Sequence, residues 1–88
     1  MSEFASELRV LMRAKMRVDR VERFDGGDKV IMSAVAKSGN YPADGSDEDN
    51  TYAKFSPQGE LTLTIMNPAL LGKIEPGTKF YIDFTPAK

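Results

Sequence analysis

Apolar residues recur along this chain with two different periods, and the change of period divides it. Over 2–12, Phe4, Leu8, Leu11 and Met12 fall at i, i+4, i+7 and i+8, which is one face of a short amphipathic helix. Ser2 suits the N-cap, and Glu3 sits in the first turn where a negative charge meets the positive end of the helix dipole. A helix this short is marginal alone and needs a surface to dock on. From Arg13 the period drops to two. Ala14, Met16 and Val18 alternate with Arg13, Lys15 and Arg17, the pattern of a half-buried strand with one apolar and one basic face. The alternation slips beyond Val18, because Val21 and Phe24 cannot share one parity, so a bulge or bend is expected near Asp19-Arg20. Asp25-Gly26-Gly27-Asp28 reads as a hairpin turn, since glycine supplies positive φ. A second strand is expected over 29–37, with Val30, Met32, Ala34 and Ala36 on one face.

Residues 38–50 are polar, acidic and rich in turn formers, and read as a long mobile loop. A third strand is expected over 51–55, followed by a type I turn at Ser56-Pro57-Gln58-Gly59. The fourth, over 60–66, has the cleanest alternation in the chain: Leu61, Leu63 and Ile65 inward, Thr62 and Thr64 outward. Asn67-Pro68-Ala69-Leu70-Leu71-Gly72 predicts one helical turn, capped by Asn67, entered through Pro68 and ended by Gly72. The last strand, over 79–84, carries Phe80, Ile82 and Phe84 inward. Together these elements predict a single all-β domain over 1–88. It is a small five-stranded antiparallel barrel over 13–85, closed or half-closed, with a short N-terminal helix and one helical turn before the last strand. That layout is shared with SH3-like and Sm-like barrels, and closure is expected because it removes exposed strand edges.

Composition narrows the chemistry. With 88 residues there is room for one core only. The chain has no Cys and no His, so thiol nucleophiles, disulfides, imidazole bases and the usual zinc sites are excluded. Twelve Lys and Arg against 13 Asp and Glu give a formal charge of -1, which argues against a wholly basic nucleic-acid coat. No stretch reaches the roughly 20 apolar residues of a membrane span, and the acidic Met1-Ser2-Glu3-Phe4 start lacks the character of a signal peptide. The expected location is the cytoplasm, with no membrane partner. The chain contains no glycine-rich phosphate loop, nucleophile elbow or motif-spaced carboxylate pair, so no enzymatic activity and no cofactor are expected. Met12, Met16, Met32 and Met66 fall mostly at inward parity and read as adaptable core filling.

Two charge clusters remain as candidate sites. Arg13, Lys15 and Arg17 share one strand face at about 6.5–7 Å intervals, close to the phosphate spacing of a single strand, with Arg20 and Arg23 extending the run. This stripe could meet nucleic-acid phosphates or an acidic protein, or simply be a solvated face that guards a strand edge. Asp44, Asp47, Glu48 and Asp49 make an acidic docking loop. Their order does not reproduce a calcium-binding loop, so no metal is expected. The loop could meet the basic stripe of a second copy, giving a homo-oligomer.

Several segments carry a resemblance. Lys15-Met16-Arg17-Val18, Gly26-Gly27, Tyr52, Ser56-Pro57-Gln58-Gly59, Leu61-Thr62-Leu63-Thr64-Ile65, Asn67-Pro68-Ala69 and Pro76-Gly77-Thr78-Lys79-Phe80-Tyr81-Ile82-Asp83-Phe84 together resemble small proteins encoded by tailed bacteriophages. The resemblance covers roughly 12–86 and carries over no catalytic or binding residue. It implies a phage context in a bacterial host cytoplasm or virion, and a binding or assembly accessory that contacts a phage structural or host protein. Two alternatives are a small inhibitor of a host defence system or enzyme, and a single-stranded nucleic-acid binder using the basic stripe.

Overall fold

The computed structural model describes residues 9–88. Four strands form one antiparallel sheet: β1 (Met12–Phe24), β2 (Gly27–Ala34), β3 (Glu60–Ile65) and β4 (Lys79–Phe84), in the spatial order β3-β2-β1-β4. The sheet curls into a half-barrel and contains almost no helix. β1 and β2 are joined by the expected two-residue turn, where Gly26 adopts φ 87°, a conformation that favours glycine. The expected bulge also forms: the β1–β2 register shifts between Val18 and Arg20, leaving Asp19 unpaired. That extra residue returns Val21 to the face carrying Ala14, Met16 and Val18, opposite Val30.

Alternation places the residues expected to point inward from β1, β2, β3 and β4 on one common face. Cross-strand partners Met16–Phe80, Ala14–Ile82, Val30–Leu63 and Met32–Leu61 share the concave face. The core there is small: Ala14, Met16, Val18, Val30 and Met32 are buried, with Val21, Tyr52, Leu61, Ile65, Ile74 and Ile82 packed around them. The 3-10 turn Pro68–Leu70 is capped as expected, Asn67 Oδ1 accepting from Ala69 N at 3.0 Å.

Three expectations are corrected. The chain does not form a fifth strand at 51–55. Thr51 N donates to Arg13 O but Arg13 N returns its bond to the Thr51 side-chain Oγ1, so no ladder develops, and Phe55 has φ 62°, which is incompatible with extended backbone. The Phe55 ring lies against Gly45, where any Cβ would collide with it. The domain is therefore an open four-stranded half-barrel, not a five-stranded one. Most of the expected N-terminal helix lies outside the described residues, but its end is not helical: Leu11 N donates to Phe84 O at 2.7 Å, and Met12 opens β1. Finally, three residues expected in the core face inward without being covered, whereas Leu61, Ile65 and Ile82 are half-buried. Leu63 remains 50% exposed, Phe84 40% and Phe80 37%.

Candidate interaction surface

The half-barrel has two faces of opposite chemistry. On the convex side, the register aligns Arg13, Lys15, Arg17 and Arg20 of β1 with Asp83, Tyr81 and Lys79 of β4 and with Ser33 and Ile31 of β2. Arg23 does not belong to this stripe, because the bulge moves it to the concave parity opposite Asp28. Each of the five cations has an acidic partner within the chain. Arg13 makes a two-pronged contact to Asp83, Nε to Oδ1 at 2.6 Å and Nη2 to Oδ2 at 3.0 Å, and stacks over the Tyr81 ring at 4.5 Å. The hydrogen bond between them raises the Arg13 pKa and holds the Asp83 carboxyl below its usual range. Lys15 reaches Asp49 at 3.1 Å, Arg17 reaches Asp19 at 3.8 Å and Arg20 reaches Glu22 at 2.9 Å. Arg23 meets Asp28 at 3.6 Å and Glu75 at 3.4 Å, and donates to Ile74 O at 3.1 Å.

The four loop acids are likewise engaged in the same chain. Asp49 accepts from Lys15 and from the Tyr81 hydroxyl at 3.0 Å. Glu48 lies 3.2 Å from Lys37 Nζ, and Asp44 accepts from Ser46 N at 3.0 Å. Asp47 is buried and organises the loop. It accepts from the Tyr41 hydroxyl at 3.0 Å, from Lys37 N at 3.3 Å, from Asp49 N and Asn50 N at 3.0 Å each, and from Asn50 Nδ2 at 3.3 Å. Burial alone would raise the Asp47 pKa, but these hydrogen bonds outweigh it and hold the carboxylate below its ordinary value. The same environment, first by desolvation and then through Asp47, raises the Tyr41 pKa.

Asn50, which the charge pattern does not single out, is fully buried where β1 and β2 part. Its Oδ1 accepts from Lys15 N at 2.8 Å and its Nδ2 donates to Val35 O at 2.8 Å. With Thr51 bonded to Arg13, the loop replaces β2 as the neighbour of the first residues of β1. The only signal for this in the sequence is Asp47 itself, whose side chain can accept from the backbone two residues on in an Asx turn, as it does from Asp49 N.

The concave side has the opposite character. A hollow of about 300 Å³ is lined by Met32, Leu61, Leu63, Ile74, Phe80 and Ile82, with Tyr81 at its margin. It lies between β3 and β4, which are not paired with each other. A second apolar recess beside Met12, Met16, Tyr52 and Phe84 continues the face toward the loop end. Among the described residues no backbone hydrogen bond occupies the outer edge of either β3 or β4. The molecule is only 15 Å thick along its shortest axis. Comparison with protein-family models, curated proteins and solved structures gives no match to this chain.

Proposed function

We infer that this is a non-enzymatic binding or assembly protein that acts through protein–protein contacts at the concave face and free edges of its sheet. The observation that carries this reading is the half-exposed set Leu63, Phe80 and Phe84, carried on the two edge strands, whose outer sides are open. Apolar side chains on one face of a sheet gain from being removed from water, and free strand edges accept further strands. The phage resemblance over 12–86 supports a phage structural or host protein as partner, in the bacterial cytoplasm or the virion, and leaves an inhibitory role as the alternative outcome of the same contact. A nucleic-acid role through Arg13, Lys15, Arg17, Arg20 and Arg23 is the weaker reading, because each of these cations already lies within 4 Å of a carboxylate in the chain. Phosphate binding would have to displace those partners. A photoreactive side chain at position 63, irradiated in the cells that make the protein, tests the reading. Crosslinks to protein are expected from position 63 and not from position 17, on the convex face of a central strand. A protein crosslinked to nothing, itself included, would overturn it. Binding to an oligonucleotide with a steep salt dependence would favour the nucleic-acid reading instead.

A further inference from the structure

We propose that the cover of the concave face is a second copy of this chain, and that two half-barrels close into one eight-stranded antiparallel barrel. This rests on the contact reading above and names its first partner. Three observations carry it. The first is exposure: Leu63, Phe84 and Phe80 on the concave face remain 50%, 40% and 37% exposed, so no described residue covers them. The second is strand direction. In the order β3-β2-β1-β4 every neighbour is antiparallel, so β3 runs opposite to β4. A two-fold axis along the barrel then places β3 of each copy beside β4 of the other, antiparallel at both seams, with no edge left over. The interface is isologous and closes on itself. Eight strands also give a barrel whose interior side chains just fill it.

The third observation is the composition of the edges. Set β4 antiparallel to β3 of the other copy with Ile82 opposite Leu63. Phe80 then falls opposite Ile65 and Phe84 opposite Leu61, all on the concave face. On the convex face Tyr81 meets Thr64 and Asp83 meets Thr62, so no like charges oppose each other. The five residues from Leu61 to Ile65 contain neither charge nor proline, so the β3 edge lacks the usual devices that discourage strand addition. Two seams of six residues, each about 20 Å long, and the apolar face between them cover several hundred Å² per copy. This is the scale of the roughly 800 Å² per partner of a standard stable interface.

The mass of the full chain in solution tests the closure, and engineered cysteines test its geometry. Native mass spectrometry is expected to give twice 9.7 kDa, with no larger species. Leu63→Lys, which puts a charge inside the closed barrel, is expected to give monomer, whereas Thr62→Lys, opposite Asp83 outside it, keeps the dimer. The chain has no cysteine of its own, so a variant carrying both Leu63→Cys and Ile82→Cys reports one seam. Within one copy β2 and β1 separate those positions by about three strand spacings, roughly 14 Å, too far for a disulfide. Oxidation is therefore expected to give a covalent dimer from the double variant and none from either single variant. A dimer that Leu63→Lys leaves intact overturns the proposal, as does a disulfide from Leu63→Cys alone or an open-ended series of larger species. So does a monomer. A monomer whose Phe4→Lys variant alone takes up a hydrophobic dye would assign the cover to the chain's own N-terminal residues. A monomer that takes up the dye itself and still crosslinks to other proteins through position 63 would leave the contact reading standing, and one that crosslinks to nothing would end both.

Discussion

Asn50 sits in the notch between β1 and β2, and its amide joins three parts of the chain at once: Lys15 N, Val35 O and Asp47. Removing it leaves buried backbone groups without partners, each costing about 1–3 kcal/mol. Asn50→Ala is therefore expected to destabilise the fold by about 3 kcal/mol, read by denaturant unfolding, and to speed amide exchange at Lys15. Asp47 gives the same junction a pH dependence. Its folded pKa is lowered, so its contribution is present above its unfolded value of about 4 and disappears as pH falls through the folded one. Stability is expected to decline below about pH 4, and Asp47→Asn to flatten that decline. Tyr41 acts in the other direction: its pKa is raised, so its contribution is present below about pH 10 and disappears as pH rises beyond. The sequence exposes these acids as a cluster but not as a scaffold. Charge density is visible in a linear string, whereas partners such as Lys37, Tyr41 and Lys15 become neighbours only after the chain folds back on itself.

The strands follow from side-chain alternation, which is why β1, β2, β3 and β4 can be read along the chain with their inward faces correct. The bulge is legible for the same reason, since Val21 breaks parity with Val18 unless one residue is extra. The segment 51–55 misleads because a few residues of mixed character satisfy a strand pattern by chance. Its conformation is set instead by the Phe55–Gly45 contact and the Thr51–Arg13 bonds. Asp19 supplies the test at this scale. Deleting it joins Val18 directly to Arg20 and restores regular pairing without changing which face any later residue occupies. The deletion variant is expected to stay folded, because its ladder is complete. It is also expected to lose curvature, because bulges increase local bend and twist. A flatter sheet cannot bring its two edges round to a second copy, so the variant is expected to be monomeric by native mass.

At the scale of the molecule, stability depends on what covers the concave face. If the single copy were the whole folded unit, Leu63→Ala would cost only about 1 kcal/mol, because half of that side chain is already in water. Covered by a second copy, the same change is expected to cost about 2–5 kcal/mol per chain, the range for a buried leucine. The melting temperature is also expected to rise with protein concentration, as it must when the folded state is a dimer, and scanning calorimetry over a hundredfold range of concentration checks this. Parity shows which residues turn inward. It does not show whether four strands suffice to enclose them, because enclosure depends on curvature and on how far apart the two edges end up.

The order β3-β2-β1-β4 also sets a timetable for synthesis. β1 and β2 form a local hairpin as soon as both have left the ribosome, and β3 can join β2 later without disturbing it. The other flank of β1 has no partner until β4 arrives, the most distant strand in the sequence. Pairings between distant segments are intrinsically slow, since a long loop must close before any contact rewards it. Until β4 emerges the nascent chain therefore carries the flank of β1 that β4 will later cover, together with the apolar Ala14, Met16 and Val18. A ribosome that stalls within the last turn before Lys79 would release a three-stranded sheet with that flank bare, a species prone to aggregate.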